Sequence, residues 1–219
     1  MVKEKSTNKT KQHTVYKAKD GKRVPGTTTI LSLLDKPALK YWANKIGLNG
    51  IEIRSYVDEK ADIGKCAHYR IECEVKNEEP DLSIYSPWVV EQSDNCMLKW
   101  WEWCRGKDIT WIGSELELVS ETHRYGGTVD LYAKVDGELT LIDIKTSGSG
   151  IWPEMKHQTA GAYRMLLEEN GYPVEKVKIL RIGRDEEEGF EEATIGNWDA
   201  HTEVFLLCRK LYEAVKKAK

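Results

Sequence analysis

The dipeptide Asp136-Gly137 constrains this chain more than any other feature. It separates two apolar, alternating runs, YGGTVDLYAKV and ELTLIDIKT. An Asp-Gly pair in that setting predicts a two-residue β-hairpin turn, because both turn positions need a positive φ that Asp and Gly adopt readily. The turn sets the register: Val135 faces Glu138, and counting outward places Asp130 directly opposite Asp143. Opposed residues of an antiparallel pair have Cβ atoms about 4.5–5.5 Å apart. Two carboxylates that close repel unless a cation lies between them, and Mg²⁺ is held at about 2.0–2.1 Å by one or two carboxylates together with water and phosphate. Lys145 is two residues beyond Asp143 and shares its face. Alternation puts Val129, Leu131, Ala133, Ile142 and Ile144 on the other face, as a core surface. Gly126 and Gly127 at one end of the cluster, with Gly148 and Gly150 at the other, permit close approach of backbone or ligand. A surface ion pair is the competing reading. The apolar character of both strands speaks for central strands instead.

The remaining elements follow from periodicity and punctuation. Residues 1–12 read as a disordered basic tail, and 13–18 with 23–25 as a small hairpin around Lys-Asp-Gly. Helices are expected at 27–34, at 37–46 with Gly47 as the stop, at 51–75, and at 87–103. In the third, Ile63, Ala67, Ile71 and Val75 recur every four residues. The fourth carries Trp88, Trp100, Trp101 and Trp103; such density suits base stacking, although core packing is the commoner use of tryptophan. Strands are expected at 109–120, 125–135, 138–146, 174–182 and 189–195, and helices at 153–170 and 198–217. This order predicts an α/β (α+β) fold in which helices flank a mixed central β-sheet. Residues 13–219 read as a single domain with a mainly helical part (13–108), a sheet and helix (109–195) and a C-terminal helix (196–219).

Composition excludes several classes. No apolar run approaches the roughly 18–20 residues needed to span a bilayer. The start, MVKEKSTNKTKQ, has no apolar signal-like core, which points to a cytoplasmic protein. The five cysteines are odd in number and form no Cys-x-x-Cys pair, so neither a disulfide framework nor a zinc site is expected. The formal net charge is −3, so a nucleic-acid binder of this composition must concentrate its basic groups locally.

At this point the residues resemble a known family. GGTVDLYAKVDGELTLIDIKTS resembles the core of the PD-(D/E)XK nuclease superfamily: Asp130 matches the first motif Asp, Asp143-Ile144-Lys145 the D-x-K half, and Val129 stands where the name has Pro. The likeness is greatest to RecB-like exonucleases, the group that includes phage exonucleases and the mitochondrial genome maintenance exonuclease. VPGTTTILSLLDKPALKYWANKIG is similar to their N-terminal helical segment. IGKCAHYRIE resembles the helix whose His is a metal ligand, here His68. SELELVSETHRYGGTVD resembles the strand with an upstream acid, here Glu115.

The resemblance implies a restriction-endonuclease-like core and a DNA exonuclease acting on ends, single strands included, in recombination, repair or replication. Mg²⁺ or Mn²⁺ would be held by His68, Asp130, Asp143 and the Ile144 carbonyl, with Asp130, Asp143, Lys145 and Glu115 catalytic. Thr146, Ser147, Gln158 and Tyr163 would contact DNA, and a recombination or replication protein is an allowed partner. A site-specific or structure-specific endonuclease, and a non-catalytic nucleic-acid-binding subunit, stay open. One departure stands out. The family carries Gln and Tyr four apart after the D-x-K strand; Gln158 and Tyr163 are five apart. Five residues turn an α-helix by about 140°, so the two are not expected to share a face. With only Cys208 near the C-terminus, no iron–sulfur cluster of the CRISPR-adaptation type is expected.

Overall fold

The computed structural model describes residues 14–218. The basic tail at 1–12 lies outside the described residues. The strands are β1 (Ile109–Ser120), β2 (Tyr125–Val135), β3 (Glu138–Lys145), β4 (Lys176–Ile182) and β5 (Phe190–Thr194). They form one mixed sheet in that order; β3 and β4 are parallel and every other neighbouring pair is antiparallel. Asp136 and Gly137 take φ values of 51° and 92°, and Val135 pairs with Glu138 as the turn requires.

Helices cover both faces. Before the sheet come α1 (Thr27–Leu31), α2 (Pro37–Leu48), α3 (Ile53–Lys76) and α4 (Pro87–Cys104). The second helix passes through Gly47, expected to stop it, and ends at Leu48; Gly50, at φ 74°, supplies the break. Ile63, Ala67 and Ile71 of α3 and Cys96, Met97, Trp100 and Trp103 of α4 pack on Leu131, Ala133, Ile142 and Ile144. The opposite face is covered by α1, by α7 (Trp198–Lys217) and by the helical crossover between β3 and β4. Among the described residues, no helix is long and apolar enough to cross a membrane.

Val129 departs from the expected face. It belongs to the core on the crossover side, with Tyr132 and Leu141, whereas Leu131 lies in the α3–α4 core. The alternation of β2 therefore breaks at the intervening residue, Asp130. On β1 the pairs Ser114–Leu131 and Leu116–Val129 flank the same point, leaving Glu115 across from Asp130. Glu115 takes φ 49°, a left-handed conformation that costs a non-glycine residue on the order of 1–3 kcal/mol.

The crossover is also unlike the continuous α-helix expected. It runs as α5 (Pro153–Lys156), a π segment (His157–Tyr163) and α6 (Arg164–Glu169). Gly161 in the π segment lies so close to α7 that a Cβ there would stand 2.5 Å from the His201 carbonyl oxygen. His157 and His201 meet beside this contact, their Nδ1 atoms 3.0 Å apart. Burial holds both imidazoles below their ordinary pKa of 6.5; the neighbouring ring adds to this for His157 and Lys156 adds for His201, while Glu154 opposes it for His157. A histidine whose folded pKa is depressed binds fewer protons folded than unfolded. Its contribution is complete above the unfolded value and is lost as pH falls below it. The melting temperature is therefore expected to drop between about pH 7.5 and about pH 5.5, and to drop less in His201→Gln. Equal drops in the two proteins would contradict this origin.

Candidate metal centre

Three elements converge where the β2 alternation breaks. Helix α3 presses Ile63, Ala67 and Ile71 onto the sheet, which leaves His68 half-buried at the edge of that face. Gly64 lets the helix close down on the end of β3; a Cβ there would collide with the Thr146 hydroxyl. The positive φ of Glu115 and the altered face of Asp130 bring both carboxylates to His68. One ligand atom from each of His68, Glu115 and Asp130 lies within 4.8 Å of the other two. His68 Nδ1 is 3.9 Å from Asp130 Oδ2, which also accepts a 2.8 Å hydrogen bond from the Ile144 N–H. Ile144 was expected to act through its carbonyl; the contact formed here is through its amide.

Asp143 lies beside this group on β3, and the charges of Asp143 and Asp130 both act on Lys145. The β2–β3 register runs through Leu131–Ile142, the step before Asp130 and Asp143. The three-residue group takes in Asp130 but not Asp143. Asp143 is fully buried, and its Oδ2 lies 2.6 Å from Lys145 Nζ and accepts a 3.0 Å hydrogen bond from Thr159 Oγ1. Burial alone would lower the pKa of Lys145, but the charges of Asp143 and Asp130 outweigh it and move the group above its ordinary value. Lys145 is thus held as an ammonium against Asp143, with the Asp130 charge adding to the effect.

The π segment corrects the expectation for Gln158 and Tyr163. A π turn closes its backbone hydrogen bonds over five residues rather than four, and its wider winding brings residues five apart nearer to one face than an α-helix does. Gln158 Nε2 donates to the Tyr163 hydroxyl at 2.6 Å, so the two share a face after all. Burial, then the charges of Asp143 and Asp130, raise the Tyr163 pKa well above the ordinary phenol range. The ring fits because Gly127 has no side chain: a Cβ there would lie 2.8 Å from Tyr163 Cε1. Gly126 is filled likewise by the Tyr16 ring. These two glycines admit the protein's own tyrosines, not a ligand.

Of the other expected DNA contacts, Thr146 is tucked against α3, and Ser147 hydrogen-bonds the Ser149 carbonyl while its own carbonyl accepts from Arg181. A cavity of about 410 Å³ adjoins Gln158, lined among others by Leu31, Leu34, Lys36, Leu39 and Glu154; none of the site carboxylates lines it. Thr159 was missed. A lone threonine in an apolar helical run carries no sequence signal, and only the π turn brings it to Asp143.

The residues fit a divalent cation. Asp143 Oδ1 is, among the described residues, the buried side-chain atom with no hydrogen-bond partner. Such an atom is costly without a ligand. An imidazole with carboxylates is a donor set suited to Mn²⁺ and related ions. Glu115→Gly tests the role of the strained residue. Glycine suits φ 49° without strain, so stability should hold or rise, while Mn²⁺ affinity falls at least about tenfold, the least that disrupting a partner at a metal site costs. Calorimetric titration beside thermal unfolding measures both; unchanged affinity would remove Glu115 from the centre.

Comparison with known proteins adds no assignment, since no family model and no curated protein matches the chain.

Proposed function

We propose that the chain is a metal-dependent deoxyribonuclease that hydrolyses phosphodiester bonds, working as an exonuclease on DNA ends. One observation carries the reading. His68, Glu115 and Asp130 meet at one point, and Asp143 turns a buried, unpartnered oxygen beside the Lys145 ammonium. The likeness to RecB-like exonucleases supports the choice of substrate.

His68, Glu115, Asp130 and Asp143 would hold Mg²⁺ or Mn²⁺. When bound, such an ion lowers the pKa of a coordinated water and neutralises charge on a phosphate. Lys145, kept protonated by its two carboxylates, serves as a donor to the scissile phosphate or the attacking water and as a fixed positive charge. Asp130 is held by the Ile144 amide and Asp143 by Thr159, so both carboxylates are oriented before a substrate arrives. Tyr163 keeps its proton and, through Gln158, braces the wall of the site on the crossover side.

The test is digestion of end-labelled linear DNA and covalently closed circular DNA with Mn²⁺. The expected result is degradation of the linear form and an intact circle. Cleavage of the circle would make the enzyme an endonuclease. Binding of DNA without cleavage would make the chain a non-catalytic subunit.

A further inference from the structure

The π segment delivers Thr159 to the candidate centre. Thr159 is fully buried, and its Oγ1 lies 3.0 Å from Asp143 Oδ2 and 2.9 Å from the Met155 carbonyl oxygen. A hydroxyl has one proton to give. The carboxylate is the stronger acceptor, because hydrogen bonds to ionised groups are shorter and roughly twice as strong as neutral ones. Lys145 Nζ approaches the same Oδ2 at 2.6 Å. Two donors therefore converge on one oxygen of Asp143, while Oδ1, also buried, has no hydrogen-bond partner among the described residues. The asymmetry is built by the fold: β3 supplies Lys145 and the π segment supplies Thr159.

We propose that Thr159 is a positioning residue for Asp143: together with Lys145 it claims Oδ2 and so presents Oδ1 alone to the cation. This rests on the metal-centre reading above. On this account the π turn sets how a ligand carboxylate is aimed. An α-helical register through the same residues would carry the Thr159 hydroxyl round the helix axis relative to Gln158 and Tyr163.

The experiment is titration of the full chain with Mn²⁺ alone, following free Mn²⁺ by electron paramagnetic resonance, with thermal unfolding measured on the same samples. Loss of a group that orients a metal ligand typically weakens binding about 10- to 100-fold. Thr159→Val, nearly isosteric but unable to donate, should show a loss in that range. Thr159→Ser should bind like the wild type. Thr159→Val combined with Asp143→Asn should bind no more weakly than Asp143→Asn alone, because the threonine acts only through that carboxylate. Thr159→Ala, which adds no methyl group where the hydroxyl was, serves if the valine does not fold. Wild-type affinity in the valine or alanine variant, alongside weak binding by Asp143→Asn, would overturn the role of Thr159 and leave the centre standing. So would a serine variant as weak as the valine one. Wild-type affinity in Asp143→Asn would overturn the centre and the proposal together.

Discussion

Under the proposed function, replacing Asp143 with asparagine should reduce Mn²⁺-dependent DNA hydrolysis by on the order of 10²–10³-fold or more, the usual cost of deleting one preorganised electrostatic group from a reacting centre. Asparagine keeps the shape and can still accept from Thr159, so the change is mainly one of charge. The neutral side chain also leaves Lys145 with Asp130 as its remaining carboxylate at the centre, and part of a buried ion pair is lost. Some fall in stability is therefore expected with the fall in rate. A linkage measurement separates the two. A ligand that binds only the folded state raises stability by RT ln(1 + [L]/Kd), so Mn²⁺ should raise the melting temperature of the wild type. It should do so little in Asp143→Asn. A variant that melts lower but gains as much from Mn²⁺ as the wild type would show that Asp143 is a structural residue.

The largest stability effect is expected at Trp100. Its ring is fully buried, with Trp103 and Trp111 each 5.5 Å away and nearly parallel, and its Nε1 donates to Glu74. Trp100→Ala opens a cavity in the α3–α4 core and should cost about 3–5 kcal/mol. Trp101, its neighbour in sequence, is 45% exposed and also donates to Glu74. Trp101→Ala should cost no more than about 1 kcal/mol, the worth of an ordinary hydrogen bond. Urea denaturation of the two variants measures the difference directly. Comparable losses would mean that the stacked tryptophans do not organise this core.

These tryptophans show what was legible in the sequence. Their density left open a base-stacking surface and a core; the four-residue spacing of Ile63, Ala67 and Ile71 on the facing helix is what makes the core, because it gives Trp100 and Trp103 something to bury against. The hairpin was equally legible. The φ demands of a two-residue turn allow one register, and the structure adopts it through Leu131–Ile142. The salt bridge of Asp143 with Lys145 follows from the same alternation.

What escaped the sequence lies where regular geometry breaks. Counting by twos carries Val129 to the face of Leu131, but the strand alternation changes at Asp130, opposite the left-handed Glu115. That local irregularity brings Glu115 and His68 to Asp130, a group that counting along the hairpin does not predict. Counting by 3.6 likewise separates Gln158 from Tyr163. A π turn, rare and packed here with Gly161 close against α7, brings them together and delivers Thr159. Departures from local rules cluster where functional or strained sites are expected.

The most direct test of the central claim is the anomalous scattering of crystals grown with Mn²⁺. The account predicts one strong peak within about 2.0–2.4 Å of His68, Glu115 or Asp130 ligand atoms and of Asp143 Oδ1, near the distances hard divalent ions keep. No peak at saturating Mn²⁺, or a peak remote from these residues in a protein that still degrades DNA, would contradict it.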